Sequence, residues 1–118
     1  MARYTCSLTV AVSLNHLQES LTEVLKSCNF DIIYDTGDYL MAREKPGRVA
    51  FAKLVTVEVL IDIVDKSIVT AQEVRMNFVV KNEELPLQVD NHCRQMFDMV
   101  QQAVAENRDW QLVESVVG

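Results

Sequence analysis

Along residues 49–64 the apolar residues Val49, Phe51, Val55, Val57, Val59, Ile61 and Ile63 all fall on odd positions. Residues 73–81 repeat the spacing on even numbers, with Val74, Met76, Phe78 and Val80. Side chains alternate between the two faces of a β-strand, so each set occupies one face. The pattern predicts two long neighbouring strands of a curved antiparallel sheet. Asp65, Lys66 and Ser67 then lie near the tip of the hairpin that joins them. If Val64 faces Val69, Glu58 faces Arg75 on the outer side, a pair worth a few tenths to about 1 kcal/mol.

The same spacing opens the chain. Tyr4, Cys6, Leu8, Val10 and Val12 alternate with Thr5, Ser7, Thr9, Ala11 and Ser13, which reads as a half-buried strand. The period then changes. Leu17, Leu21, Val24, Leu25 and Cys28 fall at helical spacing, with Asn15 as the expected N-cap, Gln18 three residues on, and Asn29 as a left-handed C-terminal cap. Phe30–Asp35 and Tyr39–Glu44 are predicted strands around a Thr36-Gly37-Asp38 turn, with Phe30, Ile32 and Tyr34 sharing a face. A second turn, Lys45-Pro46-Gly47-Arg48, leads into the long strand. Past the acidic Asn82–Pro86 break, Val89, Cys93, Met96, Phe97, Val100, Ala103 and Val104 mark one face of a long amphipathic helix. Residues 110–117 alternate weakly and read as either a last edge strand or a short helix.

The expected fold is therefore α+β: one domain over residues 1–118, ordered β-α-β-β-β-β-α with a possible final β. Both helices cover one face of the curved antiparallel sheet. The other face carries many polar residues but also Ile33, Leu40, Leu54, Leu60 and Val79, which makes it a candidate protein-binding surface.

This order resembles the TATA-binding-protein-like arrangement and its relative, the helix-grip (Bet v 1-like) family, in topology alone. Residues 55–62, 77–87 and 91–97 are similar to a small family of uncharacterised cyanobacterial proteins. That likeness implies a cyanobacterial cytoplasmic protein with no assigned activity and supplies no functional residues.

Composition narrows the function classes. The chain has 118 residues, 49% of them hydrophobic, and a formal net charge of −6. An acidic surface opposes nucleic acid and anionic lipid, whose binding relies on Lys and Arg. No apolar run is long enough to cross a membrane, and the first residues lack the apolar segment of a secretory signal, so a cytoplasmic location is expected. Cys6, Cys28 and Cys93 sit on apolar stripes at unrelated spacings, as small buried hydrophobes do.

Candidate chemistry is sparse. His16 and His92 are the only histidines, each expected in a solvated first turn of a helix. Asp31, Asp35 and Asp38 read as a charged hairpin rim. No phosphate-binding glycine loop, nucleophile elbow or Cys–His relay is legible, and no catalytic residue, metal ligand or cofactor site is assigned. The leading expectation is a non-enzymatic interaction module that forms a homo-oligomer or binds a protein partner. The alternative is a small apolar ligand held in a helix-grip cavity lined by Tyr34, Met76, Phe78, Met96, Phe97 and Val100.

Overall fold

A computed structural model describes residues 1–63, 72–85 and 91–118. In chain order the elements are β1 (Ala2–Val12), α1 (Leu14–Ser27), β2 (Phe30–Asp35), β3 (Tyr39–Glu44), a short 3-10 turn (Phe51–Lys53), β4 (Thr56–Ile63), β5 (Gln72–Asn82), α2 (His92–Ala105) and β6 (Gln111–Val117). The six strands form one antiparallel, curved sheet in the order β2-β3-β4-β5-β1-β6. The fold is α+β, as the alternating and helical periods predict. Residues 110–117, where the sequence leaves two readings open, provide β6.

β1 and β5 are the longest strands and pair over their full length, from Ala2 opposite Asn82 to Val12 opposite Gln72. Both have apolar residues at alternate positions, among them the β-branched or aromatic Val10, Val12, Val74, Phe78 and Val80, which pack well on a pleated surface. Their shared inner face buries Cys6, Leu8, Val10, Val74, Met76, Phe78 and Val80, and Val57, Val59 and Ile61 of β4 continue it. Leu17, Leu21, Val24 and Leu25 of α1, and Met96, Phe97, Val100 and Val104 of α2, close over that face in one continuous core.

The helix ends follow local chemistry. Asn29 takes φ 74°, so α1 ends in the left-handed cap its sequence predicts. Its start differs: Ser13, not Asn15, is the N-cap, and it makes no side-chain cap bond. Gln18 reaches instead across to the β2–β3 turn, where its Nε2 donates to the Gly37 carbonyl at 2.6 Å. At the other helix, Asn91 accepts from the Arg94 amide at 2.8 Å. The Trp110 indole donates to the Val104 carbonyl at 2.8 Å, which satisfies a carbonyl in the last turn and ties β6 to the end of α2.

Two expectations about the central strands are corrected. The strand predicted from residue 49 starts at Thr56. Arg43 faces Thr56, Thr56 faces Lys81, and the Glu44 amide donates to the Val55 carbonyl at 2.8 Å, so residues 45–54 make the connection from β3 to β4. Val55 is buried as expected, but Phe51 sits on the 3-10 turn and is 81% exposed. The warning sign is Lys53, which falls in phase with the odd apolar positions and would be buried by an unbroken strand. The register between β4 and β5 also differs. Asp62 faces Arg75, and Glu58 faces Val79 and pairs diagonally with Lys81 at 2.7 Å. The tip residues 65–67 and the Val64–Val69 pair lie outside the described residues, as do Pro86 and Val89.

Removing Phe97 from this core should be costly. Phe97→Ala is expected to destabilise by about 3–5 kcal/mol, whereas Phe51→Ala should stay within about 0.5 kcal/mol of the native chain. Urea unfolding followed by circular dichroism measures both.

Candidate functional site

Three surfaces or clusters stand out once the fold is assembled: a buried polar cluster at the start of α2, the outer sheet face, and the β6 edge.

The buried cluster forms because β3 ends on a glutamate whose position is in phase with Leu40 and Ala42. All three face the core, and Glu44 is only 1% exposed. A carboxylate in such a place must be hydrogen-bonded or paired. Glu44 Oε1 accepts from the Val55 amide at 3.1 Å, and His92 Nε2 lies 2.8 and 2.9 Å from the two carboxylate oxygens. Glu84, also buried, accepts from the His92 amide at 3.1 Å and the Cys93 amide at 2.9 Å. These are two of the unpaired N–H groups at the start of α2, where negative charge is favoured. Asn82 completes the cluster: its Nδ2 donates to Glu84 Oε1 and, at 3.0 Å, to the Lys53 carbonyl. One helix start is thereby fastened to β3, to β5 and to the 51–53 turn.

His92 is therefore not a solvated first-turn residue. Its ring is part-buried against a carboxylate 48 residues away. Nor do His92 and Cys93 form a relay, since the Cys93 thiol points to the Val80 carbonyl at 3.5 Å. Burial, with the added charges of Glu84 and Glu44, pushes the Cys93 thiol up to about 12. Such a thiol stays protonated and unreactive. Burial raises Cys6 to about 11 and also raises Cys28 despite a bond from Ser27. All three cysteines are free and buried, in line with their apolar positions.

For Glu84, burial alone would raise the carboxyl. The bonds from Asn82 and from the Cys93 and His92 amides, with the charge of His92, outweigh it and hold the carboxyl below its ordinary value. Both Glu44 and Glu84 already accept from groups of the chain itself, so the cluster reads as a fastening. Among the described residues, no group of three or more His, Cys, Asp or Glu is placed to hold a metal ion.

The outer face is more divided than its sequence suggests. Ile33 and Leu60 are exposed, whereas Leu54 and Val79 are half-buried. Leu40 does not belong there: it faces the core opposite Val59 and is fully buried. Tyr34 moves the other way. Ile33 is an extra, bulged residue of β2, so Tyr34 pairs with Met41 on the outer face instead of following Phe30 and Ile32 inward. It is 57% exposed and meets Tyr39 edge-on, with ring centroids 6.1 Å apart. Tyr34 therefore does not join Met76, Phe78, Met96, Phe97 and Val100, which pack together as solid core. Leu60 lies beside Tyr39, while Val79 stands apart, next to the Glu58–Lys81 pair.

No protein-family model and no curated protein matches this chain.

The β6 edge is the third of the surfaces. All seven of its residues are exposed, and Leu112, Val113, Val116 and Val117 are apolar. One side pairs with β1; among the described residues nothing pairs with the other. The β2 edge has Asp31, Asp35 and the Ile33 bulge, devices that discourage pairing. β6 has a bulge at Val113 but a single charged residue, Glu114. Nothing in the sequence of residues 110–117 distinguished an open edge from a covered strand; that depends on where α2 lies.

The carboxylate cluster makes an acid-side prediction. Because the fold favours ionised Glu84, its stabilisation is full above the ordinary carboxylate range and is lost as pH falls through its lowered folded value. Glu84→Gln should cost about 1–3 kcal/mol at neutral pH and flatten the acid limb of the stability curve, measured by denaturant unfolding across pH 3–7.

Proposed function

We propose that this protein is a non-enzymatic interaction module that self-associates, with β6 of one copy pairing antiparallel to β6 of another. A two-fold axis through paired edges joins two six-stranded sheets into one. Isologous contacts of this type are the commonest route to a homodimer. The observation that carries the reading is the full exposure of an apolar edge strand with only one charged side chain. An edge of this kind presents a row of unpaired N–H and C=O groups, and main-chain hydrogen bonding to a second strand satisfies them.

The chemistry of the buried groups agrees with a binding role. The only part-buried histidine is committed to Glu44, and the thiols are held protonated. A helix-grip ligand site is less well supported, because the residues expected to line it fill the core and Tyr34 is outside it. No helix among the described residues is long and apolar enough to cross a membrane.

Sedimentation velocity at micromolar concentration tests the proposal. The native chain is expected to sediment as a dimer, and Val113→Lys with Val116→Lys as a monomer of unchanged circular dichroism. Leu60→Asp, on the outer face, should leave the dimer intact. A native monomer, or a dimer broken by Leu60→Asp and not by the β6 substitutions, overturns it.

A further inference from the structure

We infer that a cleft on the outer sheet face binds an acidic peptide segment through one apolar side chain flanked by carboxylates. The cleft, of about 200 Å³, opens between the sheet and the 51–53 turn; Arg43, Phe51, Leu54, Thr56 and Lys81 line it. A single cross-strand row aligns its two lining cations, Arg43 and Lys81, with Arg3 just outside it. Arg43 on β3 faces Thr56 on β4, Thr56 faces Lys81 on β5, and Lys81 faces Arg3 on β1. Strands lie about 4.8 Å apart, so the three cations span about 14 Å. Asp31 on β2 faces Arg43 and ends the row; in a chain of net charge −6, three cations against this one carboxylate make the row locally basic.

Its members are not equally available. Lys81 is paired with Glu58, and Glu83 stands on the rim of the cleft. Arg43 is exposed and has no ion pair among the described residues. Its planar fork suits bidentate contact with a carboxylate. Beside it, Phe51 is the most exposed of the large apolar side chains described. The turn that presents it is held firmly. The Lys53 amide donates to the Ala50 carbonyl at 2.8 Å, and Asn82 Nδ2 grips the Lys53 carbonyl at 3.0 Å. An exposed aromatic side chain on a hydrogen-bonded turn, beside a guanidinium with no ion pair among the described residues, suits a partner with apolar and anionic parts.

Size and charge select the partner. Pockets that bury drug-sized molecules start at about 300 Å³, so this cleft has room for one side chain, with the rest of the ligand lying across the row. A nucleic acid would need a longer run of phosphate contacts than one row of three cations offers. The cleft uses β3, β4 and β5 and makes no use of β6, so the inference stands whether or not β6 pairs.

Fluorescence anisotropy with a panel of short labelled peptides tests it. Each peptide places Leu, Phe, Met or Trp between pairs of Asp and Glu. Controls replace the apolar residue by Ser or the acids by Lys, and a labelled single-stranded oligonucleotide is a further arm. Acidic peptides with an apolar centre are expected to bind, more weakly as salt rises. Arg43→Glu should weaken binding about tenfold or more, Arg43→Gln should weaken it in the same direction, and Phe51→Ser should weaken it severalfold, all with native circular dichroism. Binding by no peptide of the panel, equal binding by Arg43→Glu, or preference for the oligonucleotide overturns the inference.

Discussion

The uninterrupted ladder between the first strand and the fifth is the constraint on which the other features depend. It joins residues 60 to 80 positions apart in the chain, from Val12 beside Gln72 to Ala2 beside Asn82. Its register sets which residues share the covered face, and an error of one position would turn every apolar side chain outward. It also brings the end of β5 to the base of α2, where Asn82 and Glu84 meet the helix start. By placing β1 inside the sheet, it leaves β6 to form the outer edge.

The Glu44–His92–Glu84 cluster is the polar counterpart of that ladder. A helix covering a sheet needs little more than an apolar stripe to adhere, and hydrophobic contact is not directional. Hydrogen bonds are. Glu84 takes the His92 and Cys93 amides, and Glu44 takes the His92 ring, so the first turn of α2 has one position on the sheet. Buried carboxylates are costly unless satisfied, and this one helix start provides the donors. The same cluster holds the 51–53 turn through Asn82 and Val55, so the exposed Phe51 is displayed by a part of the molecule anchored in its interior.

The two proposed surfaces divide the molecule. The β6 edge is largely apolar, has one charged residue and is open along its backbone among the described residues, which suits a strand from another chain. The Arg43 cleft is small and sets an exposed guanidinium beside Phe51, which suits a side chain and its neighbouring carboxylates. They lie on different strands, so a self-associated protein retains its cleft.

Local periodicity made the elements legible. Alternation predicted β1, β5 and most of β4; helical spacing predicted both helices down to the buried Leu17, Leu21, Val24, Met96 and Phe97. Asn29 announced its cap because only a few residue types tolerate positive φ. Periodicity says which residues share a face, and not which face is covered or which strand lies opposite. Residues 39–44 show the difficulty: Tyr39, Met41 and Arg43 alternate with Leu40, Ala42 and Glu44, and each set holds apolar residues and a charge. Only the packed helices decide that Leu40 and Glu44 go inside. Only the bulge at Ile33 sends Tyr34 outside, and only the spacing of β3, β4 and β5 ends the central strand at Thr56. The pairing of Glu44 with His92, the open side of β6 and the row of cations at Arg43 all join residues distant in sequence. Cross-strand register and long-range packing create them, and neither is encoded in any short stretch of the chain.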